Sequence, residues 1–525
     1  MTVPMRRVLL RPFRVVWRRL TSMRTALILL FLLAVAAVPG SILPQRPLNA
    51  DKTNAYIAQH GTWGRLLDHL GLYDVFGSVW FAAIYLLLAV SLVGCLIPRI
   101  RLHARASVRK PLPAPRNLDR LPESGTFETA ATPEQYATAA RAALGRRWRV
   151  VQRAEPGGAI TLSAEKGYSR ETGNLLFHVA LLAGLVLIAI GQLYKYEGNR
   201  IVVQGPDQGF CNTVSQYDTW TPGRLAAEGK VTPAPFCIDA LTSFVANYTA
   251  GGEPTEFTAK VRYRPTLGAP ARDATIRVNE PLRLEGDRVY LISHGFAPRV
   301  TVTMPDGTVQ HDVQAFVPSD ASTLLSEGAF KEQGRPGANQ DVGIAGLFAP
   351  TPQDTGNGVI TSVSPQVNDP VLAIIVYVGN LNFNGLPQSV YSLDTSKMTE
   401  VGRANMTVGQ TKSFGDGVKV TFGGWVPWVS LQVSHDPTQG WLLVAVVAMV
   451  AGLVASLGIR RRRLWLRVRD DLGSGGPTVV EVGGLARSDT GNFSTEFAGL
   501  LRRLQDAAGT VRHDAVVGGV PAGKE

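Results

Sequence analysis

Cysteine is scarce: the chain has three in 525 residues, at positions 95, 211 and 237, and no Cys-x-x-Cys pair. This excludes a disulfide-built scaffold, a four-cysteine zinc or iron–sulfur site within one chain, and a thioredoxin-like redox motif. Charge is scarce too. Charged residues make up 18% and hydrophobic ones 45%, which is not the surface chemistry of a plain soluble protein. The chain has no phosphate-binding G-x-x-x-x-G-K-[ST] loop, no G-x-S-x-G elbow and no H-E-x-x-H helix. Glycine follows no strict period, so a collagen-like chain is excluded.

What the chain has in quantity is apolar runs. Residues 26–43, 79–97, 175–193 and 441–459 contain no Asp, Glu, Lys or Arg. As helices at about 1.5 Å per residue, each is about 27 to 29 Å long, close to the hydrocarbon thickness of a bilayer. Four membrane spans are therefore expected. The first exceeds a signal-peptide core and lacks an A-x-A site, so it is expected to stay as an anchor. Direction follows from Lys and Arg beside the spans, which are retained in the cytoplasm. Residues 1–25 hold seven arginines and no acid, residues 99–174 hold 14 basic and seven acidic side chains, and residues 460–469 hold six arginines. Residues 195–440 reverse the balance, with 18 basic and 23 acidic side chains. The net charge of +12 is thus a topology signal, and nucleic-acid binding loses its main support.

The expected fold class is an α+β integral membrane protein of the cell membrane, with four transmembrane helices and a large β-rich extracytoplasmic domain inserted between spans 3 and 4. The divisions are a basic cytoplasmic N-terminus (1–25), span 1 (26–43), an extracytoplasmic loop (44–78), span 2 (79–97) and a cytoplasmic loop with a small α/β unit (98–174). Span 3 (175–193), the extracytoplasmic domain (194–440), span 4 (441–459) and a largely disordered cytoplasmic tail (460–525) follow. In the loop, Thr132-Pro133-Glu134-Gln135 predicts a capped helix stopped at Gly145, and 147–153 with 159–165 a hairpin. In the large domain, 299–310 alternates around the turn Pro305-Asp306-Gly307, and 274–278, 289–292, 371–378 and 418–422 read as further strands. An antiparallel sandwich or open barrel is expected, with a flexible Gly/Ser/Asp-rich insertion around 319–357. The tail is expected to hold one amphipathic helix near 494–507.

Of eight histidines, only His178 falls inside a run, at its fourth residue and thus about 5 Å from the cytoplasmic end. An imidazole there suits iron or zinc ligation, or an interhelical hydrogen bond. His435, in Ser434-His435-Asp436-Pro437, lies just outside the fourth run, as a solvated loop residue or a ligand. The two fall at opposite faces of a core about 30 Å thick and cannot bind one metal ion together. This argues against a self-contained dihaem cytochrome b. His60, His69, His294 and His311 are read as surface residues in outer loops or strand ends, and His103 and His513 as cytoplasmic residues without ligand spacing. Cys211 and Cys237 are both outside and can form a disulfide worth roughly 3 to 4 kcal/mol by loop closure, the alternative being two free thiols. Cys95 reads as a packing residue. Ala180, Gly184 and Gly191, and Ala448 with Gly452, form small faces suited to close helix packing, within the chain or with a partner.

Several stretches, in order, resemble the ResB (CcsB) family of system II cytochrome c biogenesis proteins. They are Leu20-Thr-Ser-Met-Arg-Thr-Ala-Leu into Pro39-Gly-Ser-Ile-Leu-Pro-Gln-Arg46, Leu72-Tyr-Asp-Val-Phe-Gly-Ser-Val-Trp-Phe81 and Cys95-Leu-Ile-Pro-Arg99. Glu165-Lys-Gly-Tyr with Gly173-Asn-Leu-Leu-Phe-His178, Val278-Asn-Glu-Pro-Leu282 with Val289-Tyr-Leu291, and His435-Asp-Pro437 complete the set. The resemblance runs from about 20 to 460 and leaves the tail after about 470 outside it. It implies a subunit that works with a ResC (CcsA) type membrane partner to carry haem b outward. There it supports thioether attachment to the CxxCH motif of apocytochrome c, with a thioredoxin-like thiol reductant acting indirectly. It also implies that His178 is an axial haem ligand. The partner's tryptophan-rich motif is absent, since Trp425 and Trp428 are too few and wrongly spaced, so the partner is expected to supply the second intramembrane ligand and the outer histidines. Two alternatives remain open on the sequence: a membrane chaperone or anchor for apocytochrome c that binds no haem, and a haem-carrying electron-transfer subunit.

Overall fold

The computed structural model describes residues 15–509 except 49, 157, 207, 250, 335–339, 357, 359, 382–392, 471–476, 488–490 and 508. Four helices are long and apolar enough to cross a membrane: Met23–Ile42, Val79–Val108, Ser169–Tyr194 and Gln439–Gly458. The expected α+β class, with four such helices and a β-rich domain between the third and fourth, is borne out. The chain divides into two compact units, residues 1–188 with 440–525, and residues 189–439.

In the first unit the apolar helices meet through small residues and side-chain hydroxyls. A Cβ on Gly452 would lie 2.6 Å from the Phe177 nitrogen, and one on Gly173 would lie 2.8 Å from the Gly452 carbonyl oxygen, so the third and fourth helices cross backbone to backbone. Ser91 Oγ donates to Leu20 O at 2.6 Å and Tyr85 Oη to Leu185 O, which ties the second helix to the first helix's entry and to the third helix. Between the first two helices, Ala50–Gln59 and Gly61–His69 are helical as well. His60 is the turn between these helices and His69 ends the second, a correction to the expected outer loop, while both side chains are exposed as expected. Here two of the family-like stretches meet: Arg46 N donates to Tyr73 O at 2.8 Å, and the Gln45 amide bridges Leu72 O and Val75 N.

The rest of this unit is one split domain. Its sheet runs Glu123–Thr129, Thr478–Ala486, Arg462–Asp470, Ile160–Lys166, Arg149–Ala154, all antiparallel. Pro133–Leu144 and Phe493–Asp506 pack on it around Tyr136, Leu162, Leu466, Val480 and Leu500. The capping box of the first of these helices is present in both directions, with Gly145 at φ 70° as its stop. The disordered-tail expectation is corrected at 462–470 and 478–486, which are strands, while the helix expected near 494–507 is present as Phe493–Asp506. The arginine run conceals a period-two pattern in which Leu464, Leu466 and Val468 are buried, while Arg463 and Arg467 pair with Glu165 and Glu155. Arg462, fully buried, is held by Glu496 at 2.7 Å. His513 and the end of the expected tail lie outside the described residues.

The second unit, the inserted domain, is built on two 17-residue antiparallel strands, Asp287–Thr303 and Lys419–His435. One end of this pair packs with Ile238, Leu241, Val261 and Ile276 of a four-stranded sheet. Its other end packs with Phe330, Ile344, Phe348 and Ile374 of a five-stranded sheet. The expected sandwich is thus two sandwiches sharing one strand pair, with register shifts at Leu291/Ser293 and Arg299/Val300. The hairpin at Pro305-Asp306-Gly307 forms, with Gly307 at φ 85°. The flexible insertion around 319–357 is a second correction. Ser326–Glu332 and Asp341–Ala349 in it are strands of the five-stranded sheet, while residue 357 lies outside the described residues. Its glycines make room for an aromatic: a Cβ on Gly328 or Gly346 would come within 2.2 or 2.7 Å of the Phe316 ring.

Candidate functional site

His178 lies in the third apolar helix, and its Nδ1 is 2.8 Å from the carbonyl oxygen of Asn174, one turn earlier. A carbonyl only accepts, so Nδ1 carries the proton, and in the neutral ring the lone pair is on Nε2. The side chain is half-buried, edge-on to Phe177, and Leu176 and Val179 beside it are exposed. A ring with one nitrogen tethered to backbone and the other holding a lone pair is the arrangement of a ligating histidine.

His435 is more elaborately held. Cross-strand register puts Asp287, His435 and Tyr196 in one row across three neighbouring strands, so their side chains share a face of the sheet. His435 Nδ1 is 2.7 Å from Asp287 Oδ1. The carboxylate is fully buried and also accepts from Tyr196 Oη at 2.6 Å and Asn212 Nδ2 at 2.8 Å. Tyr196 stacks on the imidazole at 4.9 Å and is itself backed by Trp220, which stacks on Tyr217. Burial, and then the Asp287 hydrogen bond, push the Tyr196 phenol up, so it stays a donor. These groups fix the imidazole's plane and tautomer. Nε2 is left as the ring's reactive nitrogen, on a side chain 23% exposed. Asp287, Tyr196 and Asn212 escape a sequence reading because 75 to 148 residues separate Asp287 from Asn212 and His435, and only strand register joins them.

Cys211 and Cys237 form a disulfide across the short pairing that opens the four-stranded sheet. Of the histidines read as surface residues, His294 is corrected. It lies half-buried among Phe244, Phe257 and Tyr248, whose hydroxyl is 2.6 Å from Nε2, and burial lowers its pKa from 6.5 to about 4. His311 bonds Thr301, and His103 bonds Thr172. Trp428 is a core residue whose indole donates to Phe296 O and Phe316 O. Among the described residues no cluster of three or more His, Cys, Asp or Glu could hold a metal ion.

The family model for the ResB-like family matches residues 23–498, which brings the two tail strands and the start of the last helix inside the match and corrects the expected end near 470. The chain is 24% identical to a "Cytochrome c biogenesis protein CcsB" of Synechococcus sp. (strain RCC307), over 85% of this chain and 88% of that one. A protein of the same name from Synechococcus sp. (strain CC9311) matches at 24% over 93% and 97%. The "Cytochrome c biogenesis protein ResB" of Bacillus subtilis (strain 168) matches at 24% over 53% of each chain. With four apolar helices, the inserted β domain and a family match over nearly the whole described length, the chain belongs to the ResB-like family.

Proposed function

We propose that the chain serves cytochrome c biogenesis by taking haem b as cargo from the cytoplasm to the outer face of the cell membrane, and there supporting its attachment to apocytochrome c. A ResC (CcsA) type partner shares the cargo. The arginine-rich flanks support a split domain in the cytoplasm and an inserted domain outside. The observation that carries the reading is the tautomer of His178. The Asn174 carbonyl binds Nδ1–H and leaves Nε2 able to ligate iron within the apolar helix. One histidine gives one axial bond, so a partner histidine supplies the other. His435, oriented by Asp287, is the corresponding ligand on the outer side. Attachment adds each cysteine S–H of CxxCH across a haem vinyl: a C–S bond forms, the hydrogen goes to the neighbouring carbon, and no net redox change occurs. The chain's part is to position the reactants.

The test is cytochrome c yield and haem content of the purified complex in His178→Gln cells with normal protein levels. Gln keeps a donor and an acceptor but ligates iron poorly, so haem content and yield should fall at least tenfold. Wild-type yield would remove the ligand role and favour the chaperone reading. The same measurement on His435→Gln tests the outer position, where unchanged yield would leave that histidine structural.

A further inference from the structure

We propose that a basic cleft beside the second and third apolar helices binds the paired carboxylates of a porphyrin, an inference that rests on the haem-carrying reading above. The second helix has 30 residues and is about 45 Å long, some 15 Å more than a hydrocarbon core. Its last turns carry Arg99 and Arg105, with Arg109 and Lys110 just beyond its end. Together with Asn174 and Leu175 of the third helix and Arg463 and Arg487 of the split domain, they enclose a cavity of about 610 Å³. That volume suits a small organic ligand.

The cleft's two carboxylates are already taken, Glu165 by Arg463 and Glu171 by Arg461. Arg99, Arg105, Arg109, Lys110 and Arg487 have no carboxylate within 4.0 Å among the described residues. Basic residues at the end of a span are by themselves a topology signal. Here they come from two elements distant in sequence, converge on a concavity, and lie next to Asn174, the residue whose carbonyl orients His178. One helical turn, about 6 Å, separates Asn174 from His178. A flat amphiphile with its carboxylates on the guanidinium groups and its apolar body along Leu102 and Leu175 is thereby aimed at His178. Arginine suits this role because its fork matches a carboxylate in two hydrogen bonds.

The test uses the full chain in phosphatidylcholine nanodiscs and titrates iron-free protoporphyrin IX by fluorescence. Without iron the measurement is blind to ligation, so His178→Gln should bind it normally whether or not His178 is a haem ligand. The proposal expects the dimethyl ester to bind at least tenfold more weakly, and the triple variant Arg105→Gln, Arg109→Gln, Lys110→Gln to weaken the diacid about tenfold. Arg105→Lys with Arg109→Lys keeps both charges and loses the forks, so it should bind the diacid more weakly than the native chain and more tightly than the triple variant, which separates charge from folding. Equal binding of acid and ester, or unchanged binding by the triple variant, overturns the site. So does the finding that phosphatidylglycerol in the nanodisc binds through the same cations and is not displaced by the porphyrin, which makes the cleft a lipid headgroup site.

Discussion

His294 and Glu332 are ionisable groups of the inserted domain that burial moves in opposite senses. Burial lowers the His294 pKa from 6.5 to about 4, so between those values the unfolded chain binds more protons than the folded one, and stability falls as the pH drops. Burial, and then the nearby Asp312 carboxylate, raise Glu332 from 4.5 to about 7, so its effect has the other sign: stability falls as the pH rises through that window. The two partly cancel in the native protein. Replacing His294 with Gln removes one of them and leaves the other. Thermal unfolding of both proteins at pH 7 and pH 5 should show the wild type losing roughly 2 kcal/mol relative to the variant on acidification. A stability gap that does not change with pH would mean that His294 is hydrated in the folded protein. Contrast Asp287, whose buried carboxyl group is met by Tyr196, Asn212 and His435, so its oxygens are not left without partners.

Among the elements, strand Arg462–Asp470 decides the split domain, because it lies at the centre of the five-stranded sheet with a partner on each side. Truncation after Arg461 removes it together with Thr478–Ala486 and Phe493–Asp506. It uncovers Leu162, Ala164 and Phe127 and leaves the buried strand Ile160–Lys166 with one unpaired edge. Limited trypsin digestion should then cut faster at Arg149 and Arg153, which are paired in strand Arg149–Ala154 of the intact chain, while truncation after residue 509 should change nothing. Protection surviving the longer deletion would show that the loop between the second and third helices folds without the tail. The same strand illustrates a mixed signal. Its arginines read as membrane-flanking charge, and they are also the polar side of a strand whose other side is the core.

At the scale of the molecule, the proposed orientation is testable at two well-placed turns. Gly268, between strands Pro254–Arg264 and Arg272–Arg277, has open space around it, so a reporter inserted there leaves the sheet intact. A periplasm-type alkaline phosphatase at Gly268 should be active, and the same reporter fused after Arg116 inactive. The reverse pattern would invert the topology and move His435 to the cytoplasmic side.

Four apolar runs of bilayer length, the capping box at Thr132, the turn at Gly307 and the place of His178 within an apolar helix were legible in the sequence. Each rests on residues within one turn, one hairpin or one span, where local patterning and the bilayer set the outcome. The order in the tail, the strands in 326–349, the triad of donors on Asp287 and the basic cleft were decided only in the tertiary structure. Strand 462–470 acquires its core face from strands 160–166 and 478–486, Gly328 and Gly346 act as spacers only once Phe316 lies on them, and His435 meets Asp287 through a register between segments 148 residues apart. Such pairings carry no local period. They are fixed by which buried surfaces and which buried charges can be satisfied together when the whole chain closes.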